Sequence, residues 1–150
     1  IDIKCYGTDG QLKESHGAAV IRYNYDKRGN STEEQYYGID EQLKEREPFG
    51  VAIMQKSYDS KGNMVELKCL GADKQLKEDK QSGAAIARSE YDSNGNLIEI
   101  KLLDSNENLL DEGKTIIRFE YDENGKLLKK IFLNKNEEVI SEEENQNEEN

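Results

Sequence analysis

The chain has 150 residues, 34% hydrophobic and 35% charged, with a formal net charge of −11 and a mean hydropathy of −0.97. That is too little apolar mass for a thick globular core. No apolar run approaches the roughly 18 residues of a membrane span, and the acidic balance argues against a binder of nucleic-acid phosphates.

The chain enters partway through a unit, at Ile3-Lys4-Cys5-Tyr6, and three phrases then recur in fixed order. Gln11-Leu12-Lys13-Glu14 returns word for word at 42–45 and 75–78, and more loosely at 108–111. Gly17-Ala18-Ala19-Val20-Ile21-Arg22 has counterparts at 50–55, 83–88 and 113–118. Tyr25-Asp26-x-x-Gly29-Asn30 has counterparts at 58–63, 91–96 and 121–126, the last ending in Lys126. The tyrosines stand 33, 33 and 30 residues apart. Self-similarity at such a period is the mark of a repeat architecture, in which each unit is held by its neighbours.

Each Tyr-Asp phrase predicts a hairpin. Asp at the first and Gly at the fourth position of Asp-x-x-Gly fit a type I turn closed by a residue of positive φ. The flanks alternate as strands do: Val65, Leu67 and Cys69 are apolar while Glu66 and Lys68 are charged, and Ile98, Ile100 and Leu102 alternate likewise with Glu99 and Lys101. A second turn follows each of these strands, at 7–11, 38–42, 71–75, 104–108 and 134–138. Whether Gly71 there adopts positive φ is open, because its column also holds Asp104 and Asn134. One unit therefore reads strand, tight turn, strand, tight turn, short strand, loop. The loop varies in length and contains the only proline, Pro48. Helical repeats share this unit length, but two turn signals per unit leave no helical stretch of useful length.

The expected fold is all-β: tandem β-hairpin repeats over residues 1–141, stacked into an elongated antiparallel sheet or open solenoid. Residues 142–150 hold five Glu, no base and nothing apolar, and read as a disordered acidic tail. Neither end reads as a polar cap, which favours a segment of a longer array.

No catalytic residue, metal ligand or cofactor site is expected. His16, the only histidine, lies in a variable loop without a nucleophile phrase beside it. Cys5 and Cys69 share one repeat column with Tyr36, Leu102 and Phe132, and read as core residues. Two repeats apart, they stand on the order of 19 Å from each other, too far for a disulfide. The turn at Asp92–Asn94–Asn96 invites a calcium reading, but Lys61 and Arg28 occupy the ligand position in sister turns. Glu33 and Glu34 are adjacent in a strand and point apart, while Glu33, Glu66 and Glu99 read as cross-strand charge partners. The residues left as a candidate binding row are Tyr25, Tyr58, Tyr91 and Tyr121. They either pin each hairpin to its neighbour or offer rings to a sugar.

The phrase Tyr91-Asp92-Ser93-Asn94-Gly95-Asn96-Leu97 resembles the YD repeats of bacterial RHS-type proteins, and more loosely other Gly-punctuated hairpin repeats such as MORN. The unit here is longer than the usual YD repeat, and the Gly-Ala-Ala and Gln-Leu-Lys-Glu phrases lie outside that pattern. The resemblance implies a secreted or cell-surface scaffold without enzymatic activity, whose partner is a protein or carbohydrate surface. The alternative is a shell or accessory segment of a larger toxin-like polyprotein whose active domain lies elsewhere. Nucleic acid and membrane insertion are not expected.

Far-UV circular dichroism should give a β spectrum with little helix; a helical double minimum would overturn the fold. On this reading, deleting residues 142–150 leaves the unfolding midpoint nearly unchanged.

Overall fold

The structure, a computed structural model, describes residues 1–145. Ten strands form one antiparallel sheet in strict sequence order: β1 (Asp2–Lys4), β2 (Val20–Tyr25), β3 (Ser31–Tyr37), β4 (Ile53–Tyr58), β5 (Met64–Leu70), β6 (Ile86–Tyr91), β7 (Leu97–Leu103), β8 (Ile116–Tyr121), β9 (Leu127–Leu133) and β10 (Val139–Glu144). Each strand touches only its sequence neighbours, so the described strands make a single layer. Of the two expected forms, the chain takes the open sheet. The expected short strand shrinks to single bridges such as Tyr37↔Leu43, Leu70↔Leu76 and Leu103↔Leu109.

Both turns of a unit share one backbone. In the first, the Gly62 N–H donates to Asp59 O (3.2 Å) and the Asp59 N–H to Asn63 O (2.9 Å). In the second, the Lys74 N–H donates to Gly71 O (3.0 Å) and the Gly71 N–H to Gln75 O (2.9 Å). The left-handed residue is Gly62 (φ 92°) in one and Lys74 (φ 64°) in the other. Gly71 therefore holds the first position, not the left-handed one. Glu41, Glu107 and Glu137 match Lys74 in the other copies. For two of these glutamates a reason lies across the sheet. Glu107 reaches Arg88 (2.6 Å) and Glu137 reaches Arg118 (2.8 Å), whereas the unit carrying Lys74 has Gln55 in the arginine column.

The buried residues lie at the second-turn end of the strands. Ala19, Ala52, Ala85 and Thr115 are fully buried (0% exposed), and each bonds to two units. Ala52 donates to Leu70 O (2.8 Å) and accepts from the Tyr36 N–H (2.9 Å); Ala85 donates to Leu103 O (2.9 Å) and accepts from the Cys69 N–H (2.8 Å). Apolar groups cover this row from both faces. Ala18, Val51 and Phe49 pack with Tyr36 and Cys69, and Leu76 packs with Ile86 and Leu103. A side chain larger than alanine or threonine would have to displace one of these layers. Burial pushes the Cys69 thiol up to about 11, and both cysteines are free.

Away from that row the two faces differ. One carries charged partners: Glu66 accepts from Arg88 (2.8 Å) and Lys68 (3.3 Å), and Glu99 from Arg118 (2.7 Å) and Lys101 (2.7 Å). Burial would raise both carboxyls, but these partners outweigh it and hold them below 4.5. Gln55 makes the same contact to Glu33 (2.9 Å). The other face is mostly apolar from β5 to β9, with Lys130 opposite Phe119 and the Lys114 Nζ 3.8 Å from the centre of the Phe132 ring. Along the array the register steps by two residues per unit, since Glu34 pairs with Met54 and Met54 with Cys69.

Residues 142–144, expected to belong to the acidic tail, lie in a strand. Glu142, Glu143 and Glu144 pair with Ile131, Lys130 and Lys129 in β10, and residues 146–150 lie outside the described ones. The boundary at 141/142 thus falls inside a strand. β10 also takes the slot in which another unit would lay its first strand, with charges exchanged: Lys129 stands in the Glu column, and its Nζ reaches Glu142 (3.5 Å). The last described strand is thus acidic where the sequence reading placed a tail.

Three outcomes follow from this geometry. Deleting residues 142–150 should lower the thermal midpoint, because it strips the paired half of β10 from β9. Gly95→Ala, whose Cβ would meet no atom within 4 Å, should cost about 1–2 kcal/mol through its φ of 92° alone. Lys74→Gly should gain up to about 1 kcal/mol by the same measure in urea. Equal stability of all three proteins would show that the two turns do not share this conformation.

Candidate functional site

The first turns line one edge of the sheet, and the tyrosine row lies along it. Each tyrosine sits at a register shift, opposite the residue that leaves the turn: Tyr25↔Ser31, Tyr58↔Met64, Tyr91↔Leu97 and Tyr121↔Leu127. The Tyr58 hydroxyl donates to Ser31 O (2.8 Å), Tyr91 to Met64 O (3.0 Å) and Tyr121 to Leu97 O (2.9 Å). Each ring thereby ties its hairpin to the preceding one. Burial first, then a neighbouring turn aspartate, raises the Tyr58 and Tyr121 phenols above 10. Tyr25, in the first hairpin, is 47% exposed and lies 6.4 Å from the Tyr23 ring at 32°.

The turn aspartates are occupied within the turns. Asp92 Oδ1 accepts from the Asn94 and Asn96 N–H groups (2.9 and 2.8 Å), and Oδ2 accepts from the Asn96 side-chain amide (2.8 Å). Asp26 and Asp59 repeat this clasp with Asn30 and Asn63. Hydrogen bonds donated by the backbone and side-chain N–H groups of the following asparagine hold all three carboxyls below the usual aspartate value. Turn chemistry alone accounts for these acids. Between the first two turns lies an open groove of about 480 Å³, lined by Asp26, Arg28, Thr32, Lys56, Tyr58 and Asp59 among others.

Above the groove, on the otherwise apolar face, stands a cluster that sequence reasoning missed. Glu34, its side chain 13% exposed, accepts from Tyr36 (2.8 Å) and Tyr23 (3.4 Å), and has Lys56 at 3.7 Å and Arg46 at 4.0 Å. The Arg46 guanidinium lies over the Tyr36 ring at 5.1 Å. Burial, then Glu34, raises the Tyr23 and Tyr36 phenols. Its one signal in the sequence is a charged residue at Glu34 where the next two units have Leu67 and Ile100, the last having Lys130. Glu33 points to the opposite face, toward Gln55 and Asn24, so the adjacent pair does diverge. Among the described residues the imidazole of exposed His16 hydrogen-bonds with one side chain, Ser15 Oγ (3.1 Å).

No helix of the described residues is long and apolar enough to cross a membrane. No family model and no curated protein sequence matches the chain.

The clasp has a pH signature. A depressed carboxyl contributes stability that is present above about pH 4 and is lost as pH falls through its folded pKa. Asn96→Ala should return Asp92 toward 3.8, lower the midpoint at pH 7 and shallow the loss below pH 4. Two-dimensional NMR titration of the carboxyl with parallel melts checks both.

Proposed function

We propose that the chain is a non-catalytic repeat scaffold, a surface or secreted binding module of a bacterial YD-type protein. Its recognition edge is the row of first turns. The observation that carries this reading is the commitment of the polar groups: the Tyr58, Tyr91 and Tyr121 hydroxyls, the turn aspartates and the column glutamates spend their hydrogen bonds on neighbouring units or their own turns. Such groups hold a surface rigid and are not poised to move protons or attack a substrate. What they hold is a repeated surface, with one hairpin tip every two strands, on the order of 10 Å apart. A ligand that repeats on a similar length gains by engaging several tips at once. Tyr25 and the groove beside Tyr58 offer an aromatic ring with flanking acids, hydroxyls and Arg28, a mixture suited to a saccharide chain.

Tyrosine fluorescence titrated with oligosaccharides of increasing length tests this. Quenching should strengthen with chain length and fall in Tyr25→Ala. Absence of quenching across neutral and charged saccharides would remove the carbohydrate reading and leave a protein surface as the partner.

A further inference from the structure

We propose that the apolar face over β5–β9 is covered by a second copy of this chain, packed across a two-fold axis that passes over β7. The face has no second layer among the described strands, although a sheet face rich in aliphatic side chains ordinarily packs against one. Leu67, Ile100, Ile117, Phe119 and Phe132 lie there half-covered, with Ile98 at 36% and Leu128 at 48% exposure on its margin. The opposite face closes its own charges into pairs, and the Glu34 cluster closes the N-terminal part of this one. The open apolar stretch is confined to the later units, and Lys130 and Lys114, the latter over the Phe132 ring at 3.8 Å, bound it on the β9 side.

A second copy fits because the stretch is complementary to itself. Equivalent residues recur along the array, so a two-fold axis lying between the sheets, perpendicular to the array and above β7, sets like columns face to face. It brings β6 of one copy over β8 of the other, β5 over β9, and β4 over β10. Along these columns β6 carries the small Ala87 and Ser89, whereas β8 carries Ile117 and Phe119. Large side chains of each copy thus enter the shallow strip of its partner, twice per dimer. Ile100 meets its own symmetry mate. At the rim, Lys56 of one copy approaches Glu143 of the other, which lies 3.9 Å from Lys114 in its own chain. An axis over β8 would set Phe132 over the β7 leucines and place β10, with Glu143, over the small strip of β6. The two-residue register step tilts the strands to the array axis, so strands of the two copies cross rather than align.

Seven strands at about 4.8 Å and three side-chain rows at about 6.8 Å give roughly 34 by 20 Å, on the order of 700 Å² per copy. A standard-size stable interface takes about 800 Å² per partner. A reversible dimer is expected, its population rising with concentration.

Sedimentation velocity of the full chain over a range of concentrations tests the proposal, with circular dichroism melts of every variant to establish folding. The parent should pass from monomer to dimer. Ser89→Phe fills the strip and Phe119→Ser removes the knob, so each alone should weaken the dimer at least about tenfold. The exchanged pair, Ser89→Phe with Phe119→Ser, restores a large side chain over a small one and should regain most of the affinity. A parent that stays monomeric throughout overturns the proposal. So does a dimer that folded Ser89→Phe or Phe119→Ser leaves unchanged, or one that the exchanged pair fails to recover.

Discussion

The structure depends on one row of backbone. At Ala19, Ala52, Ala85 and Thr115 the N–H of a unit enters its own hairpin and the C=O accepts from the hairpin before, under apolar cover on both faces. Buried amides of this kind cannot exchange their partners for water, so any gap between units there would leave donors and acceptors unpaired. That makes the row the place where neighbouring units are obliged to remain in register. It also explains the Gly-Ala-Ala phrase, because a residue enclosed from both faces must be small, and Thr115 meets the same limit by donating its hydroxyl toward Leu110 O (3.2 Å).

Away from that row, the sheet is a single layer and must stabilise itself within its own plane. Polar side chains do much of this. Tyrosine hydroxyls cap carbonyls one unit back, arginines reach glutamates on the previous strand, and the same arginines extend to a glutamate in the next second turn. Arg88 and Arg118 each hold two acids, at 2.8 and 2.6 Å and at 2.7 and 2.8 Å. Such partly exposed pairs contribute little singly. Repetition and shared partners make them a ladder, and a second-turn glutamate tolerates its left-handed backbone because it completes that ladder.

The last described strand follows the same pairing rules with its charges reversed. β10 enters the slot of a next unit, but faces Lys129 and Lys130 with Glu144 and Glu143. The reversed charge suits this strand and disfavours the Arg-bearing strand of a regular unit. Its outward glutamates also discourage further edge pairing.

Much of this architecture was legible in the amino-acid sequence. Repeat length, hairpin turns, the alternation of faces and the pairing of Glu66 and Glu99 all follow from local rules, because a tight turn and a period of two constrain only residues near one another. The second-turn conformation was not, since Lys74 and Glu107 break the local preference for glycine at positive φ, and the salt bridge that explains Glu107 comes from a strand 19 residues away. Nor was the Glu34 cluster, whose members Tyr23, Arg46 and Lys56 converge from three segments of chain. Composition marked residues 142–144 as a tail, because acidic and unapolar residues rarely form strands; the lysines opposite them decided otherwise. Local periodicity determined what the units are. Only the tertiary structure decided which charges meet, because strand-to-strand register brings together residues that the chain itself keeps apart.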